Sequence, residues 1–174
     1  MTLAEGLLRL NAMSRLEAEA ALLRCCGSVA WARRMAEARP FADSAAVYAE
    51  ADRAWWELGR DAWLEAFRAH PRIGERDAAT PRGAAERAWS AREQAGVARA
   101  SRDVRSALAD GNRAYEARFG HIFIVCATGK SAEEMLALLT ARLANDPDTE
   151  LRVAAEEQRK ITRLRLERLL AGAG

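Results

Sequence analysis

The sequence predicts an all-α fold: a single-domain helical bundle of about eight helices over residues 1–174, with one extended segment near residues 121–126. Three observations carry this expectation. Helix caps and stops recur along almost the whole chain. A length of 174 residues suits one domain with its own core and is short for two. One run, Ile122-Phe123-Ile124-Val125-Cys126 between Gly120 and Gly129, is β-branched and aromatic and alone reads as a strand.

Element by element, Ser14 with Glu17 forms a capping box before LEAEAALLRCC, and Gly27 closes that helix. Ser28 opens a second helix that lasts until Pro40, so the first forty residues read as a helical hairpin. Asp43 caps SAAVYAEADRAWWELG, which ends at Gly59, and Asp61 caps AWLEAFRA. That helix must stop before Pro71, because the residue preceding a proline is pushed out of the α region; here that residue is His70. A loop with Gly74, Asp77, Thr80 and Pro81 leads to a helix through AAERAWSAREQAG, another around RDVRSALADG and a short one through NRAYEARFG. Ser131 with Glu134 makes a second capping box before MLALLTARL, and Asp146-Pro147 starts a long last helix to about Leu170.

A lone strand at 121–126 has no sheet to join. Its N–H groups then need other partners, which a polar ligand could supply. The alternative is a core-filling connector or the apolar start of a buried helix.

Composition excludes several classes. Half the residues are hydrophobic and 30% are charged, with no apolar stretch near the ~20 residues of a membrane span. The N-terminal stretch has early acids and no small-residue cleavage site, so it does not read as a signal peptide, and a cytoplasmic setting is expected. Cys25, Cys26 and Cys126 form no metal-type spacing and are expected as free thiols. The net charge is +2, and basic residues alternate with acids instead of forming the stripe that nucleic-acid binding needs. Trp31, Trp55, Trp56 and the Cys25-Cys26 pair could serve a homodimer face as readily as the core.

Three groups could carry chemistry. His70 sits at a helix end in AHPRIGE, where Pro71 and Gly74 stiffen and turn the backbone. Imidazole, with an unperturbed pKa of about 6.5, exchanges protons near neutrality, although a structural histidine bonded to the last helical carbonyls fits the same position. Ser90, Glu93 and Gln94 share an arc of about 100° on one helix beside Trp89, a polar trio suited to a small heterocycle or simply a solvated face. In the last helix Leu151, Ala155, Gln158, Thr162, Arg165 and Leu169 align on one stripe, while Arg152, Glu156, Arg159, Lys160, Arg163, Glu167 and Arg168 take the other side. Arg165 is thus predicted inside, where it needs an anionic or carbonyl partner: a ligand, or a carboxylate such as Glu93. Neither His70 nor His121 belongs to a paired-histidine or Cys/His cluster, so no metal site is expected, and Cys126 reads as core.

Together LLRLNAMS, Arg39-Pro40-Phe41, AHPRIGE, WSAREQAGV, NRAYEARFGHIFIVCATGKSAEEML and RLANDPDTELRVAAEEQRKITRLRLERLL resemble, in order and from end to end, the 2-oxo-4-hydroxy-4-carboxy-5-ureidoimidazoline (OHCU) decarboxylases of the urate-to-allantoin pathway. The resemblance implies an all-helical lyase that converts this ureidoimidazoline to (S)-allantoin without a cofactor. It also implies His70, beside Pro71, as the acid/base. Ser90, Glu93 and Gln94 would bind substrate, the main chain of His121, Ile122, Phe123, Ile124 and Val125 would contact it, and Arg165 would complete the pocket, making His70, Glu93 and Arg165 the catalytic set. Many relatives have a proline where this chain has Ile122, which puts the path of that loop in doubt more than the activity. The Ala-Gly-Ala-Gly end, in place of a peroxisomal tripeptide, favours a bacterial-type cytosolic enzyme. Rival readings are a non-catalytic helical interaction module partnering another purine-catabolic enzyme, an inactive relative, and a hydrolase of a ureido compound.

Overall fold

The computed structural model describes residues 2–74, 84–98 and 100–172. Asp77, Thr80 and Pro81 of the expected loop, and Glu75 of AHPRIGE, lie outside the described residues. Among the described residues there are ten helices and no strand: α1 (Leu3–Ala12), α2 (Arg15–Cys25), α3 (Val29–Glu37), α4 (Ser44–Leu58), α5 (Arg60–Arg68), α6 (Ala84–Glu93), α7 (Ala95–Ala98), α8 (Arg102–Phe119), α9 (Ala132–Arg142) and α10 (Pro147–Ala171). The chain forms two compact units, Met1–Ala66 with Arg159–Gly174, and Phe67–Gln158.

In the first unit the expected hairpin is three helices. The overlooked one is α1, which starts at a capping box of its own: the Thr2 hydroxyl accepts from the Glu5 N–H and the Glu5 carboxylate accepts from the Thr2 N–H. Ser14 and Glu17 cap α2 in the same way, Ser28 caps α3 and Asp43 caps α4, as the sequence predicts. Asp61 is no cap. Helix α5 begins at Arg60, and Asp61 sits in its first turn, where a carboxylate suits the positive end of the dipole.

Helix α2 packs on α3, and α4 takes contacts from both α3 and α1. Two of the motifs quoted above lock to each other here. Asn11 and Phe41 exchange amide-to-backbone bonds of 2.9 Å each way, and Arg39 donates to the carbonyls of Leu10 and Met13 at 2.7 Å. Gly6 lets α1 approach the end of α10, since a Cβ there would fall 1.7 Å from the Leu170 carbonyl oxygen.

The proposed homodimer face is mostly interior. Trp31, Trp55, Cys25 and Cys26 are buried, with the Trp31 indole donating to the Ala51 carbonyl at 3.1 Å. Only Trp56 of that set is exposed, at 39%. Large aromatics bury more apolar area than anything else in so small a core, roughly 1.5–3 kcal/mol for a side chain of Phe size, so the interior claims them first.

In the second unit the expected pair of helices around Gly111 is one continuous helix, α8, of 18 residues. Gly111 is a packing glycine instead of a break: a Cβ would lie 2.7 Å from a methyl of Leu139, so its absence lets α8 and α9 close on each other. Conversely the single helix expected through AAERAWSAREQAG is two, α6 and α7, separated by a turn at Gln94. The core here joins Ile73, Val97, Leu108, Tyr115, Phe123, Val125, Met135 and Leu139. The capping box of Ser131 and Glu134 starts α9, and α10 starts at Pro147, both as expected.

The extended strand expected at 121–126 is absent. Residues 122–127 form an irregular connector whose Phe123, Ile124, Val125 and Cys126 are buried. Its propensity is β, but among the described residues there is no second strand to pair with, and side chains bond its backbone instead.

Candidate functional site

Helix α5 ends just before His70, whose N–H donates to the Phe67 carbonyl at 3.1 Å, closing a final turn. The segment that follows is fixed at three points. The Arg72 guanidinium pairs with Glu116. The Ile73 carbonyl accepts from the buried Asn112 amide at 2.9 Å, and the Gly74 N–H donates to the side-chain Oε1 of Gln94 at 3.1 Å. Gln94 therefore ties the end of α6 to the His70 loop.

The His70 ring is held as well. Its Nε2 lies 2.6 Å from Oε1 of Gln158, which projects from α10 and is 0% exposed. A ring carried just past a helix end thus gains a fixed orientation from a buried amide 88 residues away.

The two members of the polar trio on α6 do not face solvent, and half-buried Gln94 lies in the turn that follows. Ser90 and Glu93 are 5% and 8% exposed, and Trp89 beside them is 2% exposed. Glu93 lines a cavity of about 410 Å³ with Arg92, Gly96, Ala127, Lys130 and Glu133.

The connector is anchored from both sides. The Ile124 carbonyl accepts from the Arg142 guanidinium at 2.8 Å, and the Cys126 N–H donates to Glu157 at 2.7 Å. Lys130 donates to the Cys126 carbonyl at 2.8 Å. Arg142 is itself buried against Glu150 at 2.5 Å, with Tyr115 and Asn145 donating to the same carboxylate. Its guanidinium also lies 4.5 Å from the centre of the Phe123 ring. Burial and the neighbouring Glu150 push the Tyr115 phenol well above its ordinary range, so it remains a donor. The Arg142 guanidinium has both a carboxylate and a carbonyl as partners, which is what makes so deep a cation tolerable.

At the start of the connector, His121 is ringed by Phe67, Tyr115 and Phe119, with centroids 5.3, 5.5 and 6.3 Å away. Its Nδ1 lies 3.0 Å from the Ile122 carbonyl. The Cys126 thiol is raised above its usual value, first by burial and then by Glu157, and behaves as core, as the sequence suggests.

Arg165 belongs to the other unit. The stripe predicted for α10 is buried throughout, with Arg165 at 6% and a guanidinium contact to the Arg24 carbonyl at 3.5 Å. Arg163 is not simply solvated, since it stacks 3.4 Å above the Tyr48 ring and pairs with Glu167 at 2.8 Å.

The structure places His70, Ser90, Glu93 and Gln94 in one unit, with Gln94 bonded to the loop after His70, and adds partners that the sequence did not single out. Gln158 carried a signal, as one of three polar residues, with Thr162 and Arg165, on the buried stripe of α10. Arg142 and Glu150 carried none, because they sit on different helices and pair only in three dimensions. Among the described residues no group of three or more His, Cys, Asp or Glu is placed to hold a metal ion. No helix among them is long and apolar enough to cross a membrane.

The same fold is found in a solved structure of an OHCU decarboxylase in the presence of (S)-allantoin. That match has a TM-score of 0.74 and 35% identity over 86% of this chain and 96% of the other. An (S)-allantoin synthase shares the fold at a TM-score of 0.68 and 18% identity. These likenesses show an all-α fold shared with a decarboxylase and a synthase. The family model for OHCU decarboxylase matches residues 11–167, and the chain belongs to that family.

Among curated relatives, the uric acid degradation bifunctional protein TTL of Arabidopsis thaliana is 37% identical over 84% of this chain. The 2-oxo-4-hydroxy-4-carboxy-5-ureidoimidazoline decarboxylase of Haloferax volcanii is 30% identical over 78%. The chain spans 45% of the length of the plant protein and 77% of the archaeal one. A fish relative, from Amia calva, and bacterial ones match too, so the resemblance is not bacterial in particular.

Proposed function

We propose that this chain decarboxylates 2-oxo-4-hydroxy-4-carboxy-5-ureidoimidazoline to (S)-allantoin in urate breakdown. The observation that carries the reading is a histidine locked by a buried amide, in the same unit as the buried Ser90 and Glu93, within a chain of the OHCU decarboxylase family.

The substrate supplies its own electron sink. Its carboxylate sits on a ring carbon that also bears a hydroxyl, next to a ring C=N. When the carbon–carboxylate bond breaks, carbon dioxide leaves and the electron pair forms a C=C as the ring nitrogen takes up charge and a proton. The resulting enol then gives up its O–H proton while the neighbouring ring carbon, which bears the ureido group, gains one on a single face. The protein must orient the ring, move that proton and stabilise charge shifting onto nitrogen and oxygen.

In this reading His70 carries the proton from the hydroxyl to the ring carbon. Glu93 grips ring or ureido N–H groups, and Ser90, Gln94 and Pro71 shape the substrate's seat. The main chain of His121, Ile122, Phe123, Ile124 and Val125 contacts it, a role favoured by a connector whose hydrogen bonds are to side chains and not to a strand. Arg165 contacts a ring or ureido carbonyl. A tight clamp on the departing carboxylate would stabilise the ground state and slow its loss.

The chain works as one domain over residues 1–174, in the cytoplasm, on a small molecule and without nucleic acid. A homodimer would have Trp56 as its available tryptophan, the others being interior.

The test supplies purified protein with freshly generated urate-oxidation product and follows carbon dioxide and optically active allantoin. Release of both in equal amounts is expected. Ammonia or a ring-opened product would establish the hydrolase reading. No turnover, with no rise in melting temperature on adding allantoin, would establish the interaction module.

A further inference from the structure

We propose that Gln158 is a positioning residue that holds neutral His70 in its Nε2–H tautomer, placing the ring's basic lone pair on Nδ1, the nitrogen that exchanges the proton with substrate. The catalytic half of this inference rests on the function proposed above, whereas the tautomer itself does not.

Donor and acceptor chemistry fixes the tautomer. An amide oxygen only accepts, so an oxygen 2.6 Å from Nε2 requires a hydrogen on that nitrogen. Neutral imidazole carries one N–H, which leaves Nδ1 as the acceptor. Gln158 is well suited to impose this. It is completely buried on the stripe of α10 that also buries Leu151 and Ala155, where turning the amide would carry its NH₂ group to the place its oxygen now occupies. The His70 main chain is also restrained, by the bond to Phe67 and by Pro71, so ring and amide meet with few rotamers left to either.

The second histidine is an internal reference. A backbone carbonyl only accepts, and the Ile122 oxygen lies 3.0 Å from Nδ1 of His121. His121 is therefore held in the opposite tautomer, with hydrogen on Nδ1. The chain contains these two histidines and no others, so both can be assigned in one spectrum.

The experiment is long-range ¹H–¹⁵N correlation of the imidazoles in ¹⁵N-labelled protein at a pH where both rings are neutral, with kcat and KM for wild type, Gln158→Leu and Gln158→Glu. In wild type, His70 should show hydrogen on Nε2 and His121 on Nδ1. Gln158→Leu should mix the His70 tautomers and lower kcat by roughly tenfold or more, with KM within about threefold, because a wrong tautomer cannot accept the proton although substrate still binds. Gln158→Glu keeps an acceptor oxygen and should restore both the Nε2–H signature and most of kcat. Hydrogen on Nδ1 of His70 in wild type would overturn the proposal whatever the variants do. So would a Leu variant with unchanged tautomer and unchanged kcat. A wild type that showed the expected tautomers but no decarboxylation would remove the catalytic role and leave the positioning geometry intact.

Discussion

His70 and His121 lie in the same unit and carry the same side chain, yet the fold treats them in opposite ways. His121 is packed by three aromatic rings and bonds to the carbonyl of the very next residue, an arrangement that local packing alone accounts for. His70 receives a polar partner from a helix 88 residues away, at the cost of burying an amide completely. Packing does not require that amide, since an apolar residue would fill the stripe better. The difference separates a histidine that fills space from one whose ring atoms must point in a fixed direction.

The largest effect should come from breaking that distinction directly. His70→Asn is expected to lower kcat by about 10²–10⁴-fold, the usual worth of a positioned acid/base, with little change in melting temperature. His121→Ala should do the reverse in stability, costing about 1–2 kcal/mol through lost ring contacts and read as a lower melting temperature. Comparable kcat losses in the two variants would erase the contrast.

Next is the network that fixes the connector bearing His121. Arg142→Met leaves Glu150 and the Ile124 carbonyl without their cation and should destabilise the protein by about 3–5 kcal/mol. A urea midpoint equal to that of wild type would show that the buried pair is dispensable. Arg165→Ala should raise KM by roughly ten- to a hundredfold, the worth of one charged hydrogen bond to substrate, and lower kcat less. The opposite split would move Arg165 from binding to chemistry.

The smallest effect is in pH dependence. Burial pushes the Cys26 thiol up to about 12 in the folded protein, while the unfolded thiol titrates near 9.0. Above pH 9 the unfolded chain therefore holds fewer protons than the folded one, and stability should decline as pH rises from about 9 towards 12. Denaturation series at pH 8 and pH 10.5 would show it, and Cys26→Ala should flatten the slope.

Much of this was legible in the sequence because it is local. Capping boxes at Ser14 and Ser131, the Asp43 cap, the Gly59 stop and the apolar stripe of α10 all follow from residues within a turn or two of one another. Arg165 and Gln158 were placed inside by counting alone. The misreadings share a different cause. Gly111 is a helix breaker by propensity and becomes a packing residue only when Leu139 arrives from another helix. The run at 122–126 has strand propensity, but whether it is a strand depends on a partner that the described residues do not provide. Of the candidate site, His70, Ser90, Glu93 and Gln94 stand out in motif and spacing because each lies within a turn or two of the residues that mark it. The groups that hold them in place, Gln158, Arg142, Glu150 and Glu157, are set by tertiary contacts that no single stretch encodes.

The central claim, that His70 delivers the proton to one face of the ring, is tested most directly by product stereochemistry in D₂O. Wild type should give optically active (S)-allantoin with one deuteron on the carbon that bears the ureido group, while the slow residual turnover of His70→Asn should give racemic product. An (S) excess from His70→Asn equal to that of wild type, or racemic allantoin from wild type, would contradict it.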